Sequence, residues 1–313
     1  MAAALAAHLV LALSAVLRTT NCRPTGAHEW GAVMLRNFRH LCVLVACGLS
    51  LGLAVGPAAG QERRPTPASV PVALDQDHRL WQQVLSAAVS FPHGVDYAGL
   101  SAQRETLDQY RAQLAQAQLP EGRPGQLAFW INAYNALTVD LVLHLLPDPG
   151  DNAAAAWKDF SVLTSVEGFW TNYAYEVAGE WLTIDAIQKV KLAALKEPRI
   201  HFAINCASVS CPPLLDQAFT GERLEQQLDR VTRAFVADTA QVQVESTGWT
   251  GRGRRATLNP LMQWYRDDFG GSDDGVRKFL VRHASPERAA DLSRAELAYG
   301  AYDWKLNFFP KPR

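Results

Sequence analysis

Apolar positions recur at helical spacing along much of the chain. Leu80, Val84, Leu85 and Ala88 predict a helix over 77–88, and Leu107, Tyr110 and Leu114 a second over 106–117. Between them, Pro92 and Gly94 mark a turn with a short extended piece to Tyr97. Residues 126–146 are apolar nearly all round, which predicts a central buried helix. It is interrupted by Asn132 and Asn135, three apart and so on one face. A hairpin over 173–183 turns at Gly179-Glu180, and Thr183 caps a helix over 184–196. Ile200 to Ile204 reads as a short buried strand after the Pro198 boundary. Thr220 caps a helix with Leu224, Leu228, Val231 and Phe235 inward. A weakly alternating hairpin over 241–258, with a basic turn at 252–255, precedes short helices over 262–269, 275–283 and 286–298. Helices interspersed with short antiparallel hairpins predict an α+β fold: one mostly helical domain, 73–313, around a central buried helix.

The first sixty residues stand apart. Met34 begins a leader-like segment: Arg36 and Arg39, an apolar run from Leu41 to Val55, then small residues at 58–60. The run is shorter than the roughly twenty residues of a membrane span. Residues 1–60 are therefore expected to be a leader, with a misassigned start before Met34, and the mature chain to begin near Gln61. An uncleaved anchor or a lipidated Cys47 is the competing reading. Residues 61–72, rich in Pro and Arg, read as a linker. The expected location is periplasmic or extracellular, with membrane contact only through an uncleaved leader.

Composition changes little. An apolar fraction of 48% supplies a core, and a net charge of −1 excludes nucleic acid as a partner on long-range electrostatic grounds. Cysteine usage matters more. Three of the five cysteines fall in the leader, leaving Cys206 and Cys211 as an even pair.

The pair lies in His201-Phe-Ala-Ile-Asn-Cys-Ala-Ser-Val-Ser-Cys-Pro-Pro213, a stretch with polar groups at the mouth of a small-residue loop. Two readings stand. In one, Cys206 is a nucleophile, His201 its base, and Asn205 or Asn132 orients the base or stabilises an oxyanion. Strand alternation puts Cys206 and His201 on opposite faces, so the loop would have to turn back. In the other, Cys206 and Cys211 form a disulfide worth about 2 kcal/mol by loop closure, which export favours. Asn132, Asn135, Ser208, Ser210, Asp303 and Asn307 are the candidate binding groups. Zinc lacks a fourth ligand beside His201, Cys206 and Cys211, so neither metal nor cofactor is expected.

Five motifs occur together: Val95-Asp-Tyr97, Phe129-Trp-Ile-Asn-Ala-Tyr-Asn-Ala-Leu-Thr138, His201 to Cys206 with Cys211-Pro212, Trp264-Tyr-Arg-Asp-Asp-Phe269, and Tyr302-Asp-Trp-Lys-Leu-Asn307. In this set and order the chain resembles the family catalogued as domain of unknown function 547, over about 77–307. The resemblance implies a bacterial domain, often exported, and assigns no reaction. One departure falls at Ile187-Gln188-Lys189, where family members commonly carry Ile-Glu-His. A catalytic or metal-binding role for that Glu and His would be lost in this chain. The expected function is an exported binding or interaction domain for a small molecule or peptide, with its cleft at the 201–213 loop. The alternative is a cysteine-dependent acyl-handling hydrolase or transferase using Cys206 and His201.

Overall fold

A helix hydrophobic on every side has to be surrounded, and the rest of the chain does this. The computed structural model describes residues 61–68, 73–147, 157–249 and 251–309. The expected leader lies outside the described residues, as does 69–72 of the expected linker. In chain order the elements begin with strand β1 (Glu62–Arg63), helix α1 (Arg79–Ala88), β2 (Val89–Ser90), β3 (Gly94–Val95), α2 (Tyr97–Ser101), α3 (Arg104–Ala115) and α4 (Arg123–Leu145). The second half holds β4 (Tyr173–Val177), β5 (Glu180–Thr183), α5 (Ile184–Ala186) running into a π-helical turn (Ile187–Leu192), α6 (Ile200–Ala203) and α7 (Leu224–Ala237). It closes with β6 (Val242–Thr247), β7 (Gly253–Leu258), α8 (Leu261–Trp264), a 3-10 turn (Arg266–Phe269), α9 (Asp273–His283), α10 (Pro286–Arg294) and β8 (Glu296–Tyr299). The fold is α+β, and the described residues share one compact unit.

Every residue of α4 from Leu127 to Val142 is buried. Leu107, Tyr110 and Leu114 of α3 pack against it, as do Leu224, Leu228, Val231 and Phe235 of α7, while Trp81, Val84, Leu85 and Ala88 of α1 join the same core through α3. These are the apolar stripes read from the helical period. The hairpins β4–β5 and β6–β7 form, with two shifts from the expected turns. Val177 lies opposite Glu180, so the first turns at Ala178-Gly179, both at positive φ, one residue before the expected place. Thr247 lies opposite Gly253, so Arg254 and Arg255 stand in β7 and not in the turn. Thr183 caps α5 by accepting from the Ala186 amide.

Three further local expectations are corrected. Ile200–Ala203 is a helical turn and not a strand: Ile204 N–H donates to Ile200 O, and among the described residues no strand pairs with it. β-branched composition favours a strand only where a partner offers a ladder. The helix expected over 286–298 ends at Arg294, because Glu296–Tyr299 adds parallel to β7. The edge of β7 satisfies those amides better than another helical turn in solvent would. Residues 62–66 differ from a free linker: β1 pairs parallel with β4, Pro65 O accepts from Arg111, and Thr66 donates to Glu176.

Candidate functional site

The helical turn at Ile200–Ala203 brings His201 and Ile204 to one face, three residues apart, and both line a cleft of about 180 Å³. Tyr134 of α4 and Trp170 form part of its wall, and four other segments bring the remaining side chains. The π-helical turn contributes Gln188 and Lys189, so the departure from the family pattern falls on the cleft wall. The 205–211 loop contributes Cys206 and Cys211, the segment around α8 contributes Trp264 and Tyr265, and the C-terminal stretch contributes Tyr302 and Trp304. A larger hollow of about 940 Å³ lies over α3, but among the described residues its lining holds no cysteine, serine or threonine, and its Arg79, Arg104 and Asp108 are already ion-paired.

The loop is held from behind by amides. Asn135 Nδ2 donates to Ala203 O at 2.9 Å, and its Oδ1 accepts from the Asn205 amide at 2.8 Å. Asn205 Nδ2 donates to Pro212 O, and its Oδ1 accepts from the Ala207 amide and from Asn307 Nδ2. Asn307 in turn accepts from the Tyr97 hydroxyl at 2.7 Å. Asn205 is therefore a brace in this structure, with both ends of its amide taken, and not an oxyanion donor. Ala207, the residue after Cys206, sits at φ 66°, a left-handed conformation unusual for a residue with a Cβ. Such strain persists only where the surroundings impose it, and it clusters at functional sites.

Both cysteines are free, which corrects the expected disulfide. Cys206 N–H donates to Cys211 Sγ at 2.8 Å, and Cys206 Sγ lies 3.1 Å from Ser208 Oγ and 3.3 Å from the Tyr302 hydroxyl. Ser208 Oγ also lies 3.1 Å from that hydroxyl, closing a triangle of sulfur and two oxygens. The two thiols have opposite electrostatics. Burial pushes both up, but at Cys206 hydrogen bonds from Cys211, Ser208 and Tyr302 outweigh it and bring the thiol down to about 7. Cys211, 6% exposed, is driven well up by burial and by the neighbouring Cys206. Of the two, Cys206 is the one that ionises more readily. The Tyr302 phenol is also pushed far up, by burial and by the two cysteines, and so stays a donor.

His201, 4% exposed, packs its ring on Tyr265 at 3.9 Å between centroids, nearly parallel. Its Nε2 is 2.6 Å from Asp268 Oδ2, and that hydrogen bond holds the Asp268 carboxyl below the usual carboxylate range. Among the described residues, His201 Nδ1 is buried without a hydrogen-bond partner. Gln188 donates to the Tyr265 hydroxyl at 2.8 Å, setting the ring against which His201 stacks. Burial, partly offset by that bond, pushes the Tyr265 phenol up to about 12.

The other candidates scatter. Asn132 is fully buried but bonds both backbone groups of Phe219, away from the cleft. Ser210 Oγ accepts from the Asp303 amide, and Asp303 Oδ1 from the Lys305 amide, so both serve the C-terminal latch. The sequence reading gave no role to Tyr265, Asp268 or Gln188, although the first two lie in a motif it singled out. Among the described residues no three His, Cys, Asp or Glu side chains are grouped to hold a metal.

Residues 119–236 match the family model described as "Protein of unknown function, DUF547". The matched span runs from the start of α4 almost to the end of α7. It holds His201, Cys206 and Cys211, while Tyr265, Asp268 and Tyr302 lie beyond it. No curated protein and no solved structure matches the chain.

Proposed function

With residues 119–236 assigned to the DUF547 family, whose description names no activity, we propose that this chain is a cysteine-dependent acyl-handling enzyme with Cys206 as its nucleophile. The observation that carries the reading is the hydrogen-bonded triangle at Cys206 Sγ, which brings that thiol to about 7 while Cys211 remains protonated. A thiolate present at neutral pH needs no base to attack.

The sulfur adds to an acyl carbonyl, forming an S–C bond and a tetrahedral oxyanion. The Tyr302 and Ser208 hydroxyls, released from the sulfur as it loses its charge, are the donors nearest to that oxygen. Collapse breaks the bond to the leaving group, which takes from His201 the proton that the Cys206 thiol gave up to it on ionising. Water or a second acceptor then attacks the thioester, His201 takes back a proton, and Cys206 leaves as the thiolate. Asp268 holds the imidazole through this exchange. The exported setting expected from the Met34 leader belongs to the same proposal.

The test is acyl-enzyme trapping. The protein is incubated with a panel of simple thioesters and phenyl esters, quenched in acid and mapped by mass spectrometry. An acyl adduct on Cys206, absent from Cys206→Ser, is expected. A panel with no Cys206 adduct, together with unchanged ester hydrolysis in Cys206→Ser, would return the chain to the binding-domain reading.

A further inference from the structure

Resting on that reading, we infer that the cleft selects an acyl group carrying a flat, uncharged ring, and that Trp264 and Trp304 hold the ring. Both indoles line the cleft, and Trp264 is 49% exposed, a large apolar surface left in water at the mouth of a pocket. The two indoles lie nearly parallel, 15° apart with centroids 5.6 Å from each other. Trp304 packs on Tyr302 at 4.3 Å, and Tyr302 touches the sulfur. The aromatic platform therefore starts one ring away from the nucleophile. His201 lines the same cleft, but it is Tyr302, Trp304 and Trp264 that stand in one continuous aromatic run from the sulfur, and the acyl group is assigned to that run.

Charge and size narrow the class. Lys189 is paired with Asp185 at 2.7 Å, and His201 with Asp268, so an ionic substituent would have to compete with pairs already made. A volume near 180 Å³ is below the roughly 300–1,000 Å³ of clefts that take drug-sized ligands. A single ring fits that scale, and aromatic faces and edges favour another ring over an aliphatic group of equal area by about 2- to 10-fold.

The test uses two alkylating reagents with one warhead, N-phenyl and N-methyl iodoacetamide, from which the sulfur displaces iodide. Rates at Cys206, followed by peptide mapping, are divided by those of free cysteine with the same reagents. The normalised phenyl-to-methyl ratio is expected to be about 10 in the native protein, and to fall toward 1 in Trp264→Leu and Trp304→Leu, which keep apolar area but remove the ring. A ratio near 1 in the native protein, or one retained in both variants, overturns the assignment. If the variants do not fold, titration of native indole fluorescence with N-phenylacetamide decides: saturable quenching supports the ring site and a linear response overturns it. Acyl adducts formed equally fast from acetyl and phenylacetyl thioesters would refute ring selection and leave the acyl reading intact. A kept labelling preference with no acyl adduct would refute the acyl reading instead.

Discussion

Tyr302 and Cys206 lie 96 residues apart in the chain, and the phenol oxygen of one sits 3.3 Å from the sulfur of the other. The C-terminal stretch reaches the loop because its backbone pairs there: Val209 N–H donates to Lys305 O, and Ser208 and Leu306 form an antiparallel bridge. Removing the hydroxyl in Tyr302→Phe leaves the thiolate one donor short. Its alkylation midpoint, expected near 7 in the native protein, should move up by about 1–2 pH units, since a hydrogen bond to a charged group is worth roughly 1.5–3 kcal/mol. Iodoacetamide rates measured against pH check this, and an unmoved midpoint would show that Tyr302 does not donate to the sulfur.

The two cysteines are expected to differ sharply toward a thiol reagent. Cys206 reacts in the native protein at neutral pH, whereas Cys211, buried and raised by its surroundings, reacts only after unfolding. Timed labelling with peptide mapping under non-reducing conditions measures both. Equal native rates, or a linked pair of peptides, would contradict the arrangement described.

Asp268 acts through His201 and not on the sulfur. Asp268→Asn is expected to lower turnover of an ester substrate by about 10-fold or more, while the alkylation midpoint of Cys206 stays in place. If thiol reactivity falls together with turnover, the carboxylate serves the loop's structure instead.

Asn132 and Asn135 are both buried, yet their replacement should read out differently. Each loses a donor and an acceptor interaction, so Asn132→Leu and Asn135→Leu should each cost about 1–3 kcal/mol in chemical denaturation. Only Asn135 holds the Ala203–Asn205 backbone. Asn135→Leu should therefore also shift the Cys206 alkylation profile, and Asn132→Leu should not.

His78 is buried, bonds Tyr110 at 2.7 Å, and is pushed from 6.5 down to about 4 by burial, which outweighs Asp75 and Asp77. The unfolded chain takes up this proton near 6.5 and the folded chain only near 4. Stability is thus fully present above 6.5 and is lost as pH falls toward 4, by roughly 3 kcal/mol at most. In His78→Asn, which suits the left-handed backbone at this position, urea midpoints at pH 7.5 and 5 should lie closer together than in the native protein. An identical pH response would remove His78 as the cause.

The helical stripes of α1, α3, α4 and α7, both long hairpins and the Thr183 cap were legible in the sequence, because local periodicity and capping chemistry act within a few residues. The sequence by itself also marked His201, Cys206 and the C-terminal motif as places where polar groups stand against an apolar background. It did not determine how they meet. The turn at Ile200–Ala203 is helical where no strand among the described residues pairs with it, and Glu296–Tyr299 is a strand because the edge of β7 is there to pair with. Whether two cysteines five residues apart bond or stay free depends on where their sulfurs point. That direction is set by Tyr302, Ser208 and the Cys206 amide, brought together across 96 residues. Side-chain direction at the end of a loop is decided by packing partners distant in the chain, and only the tertiary structure holds that information.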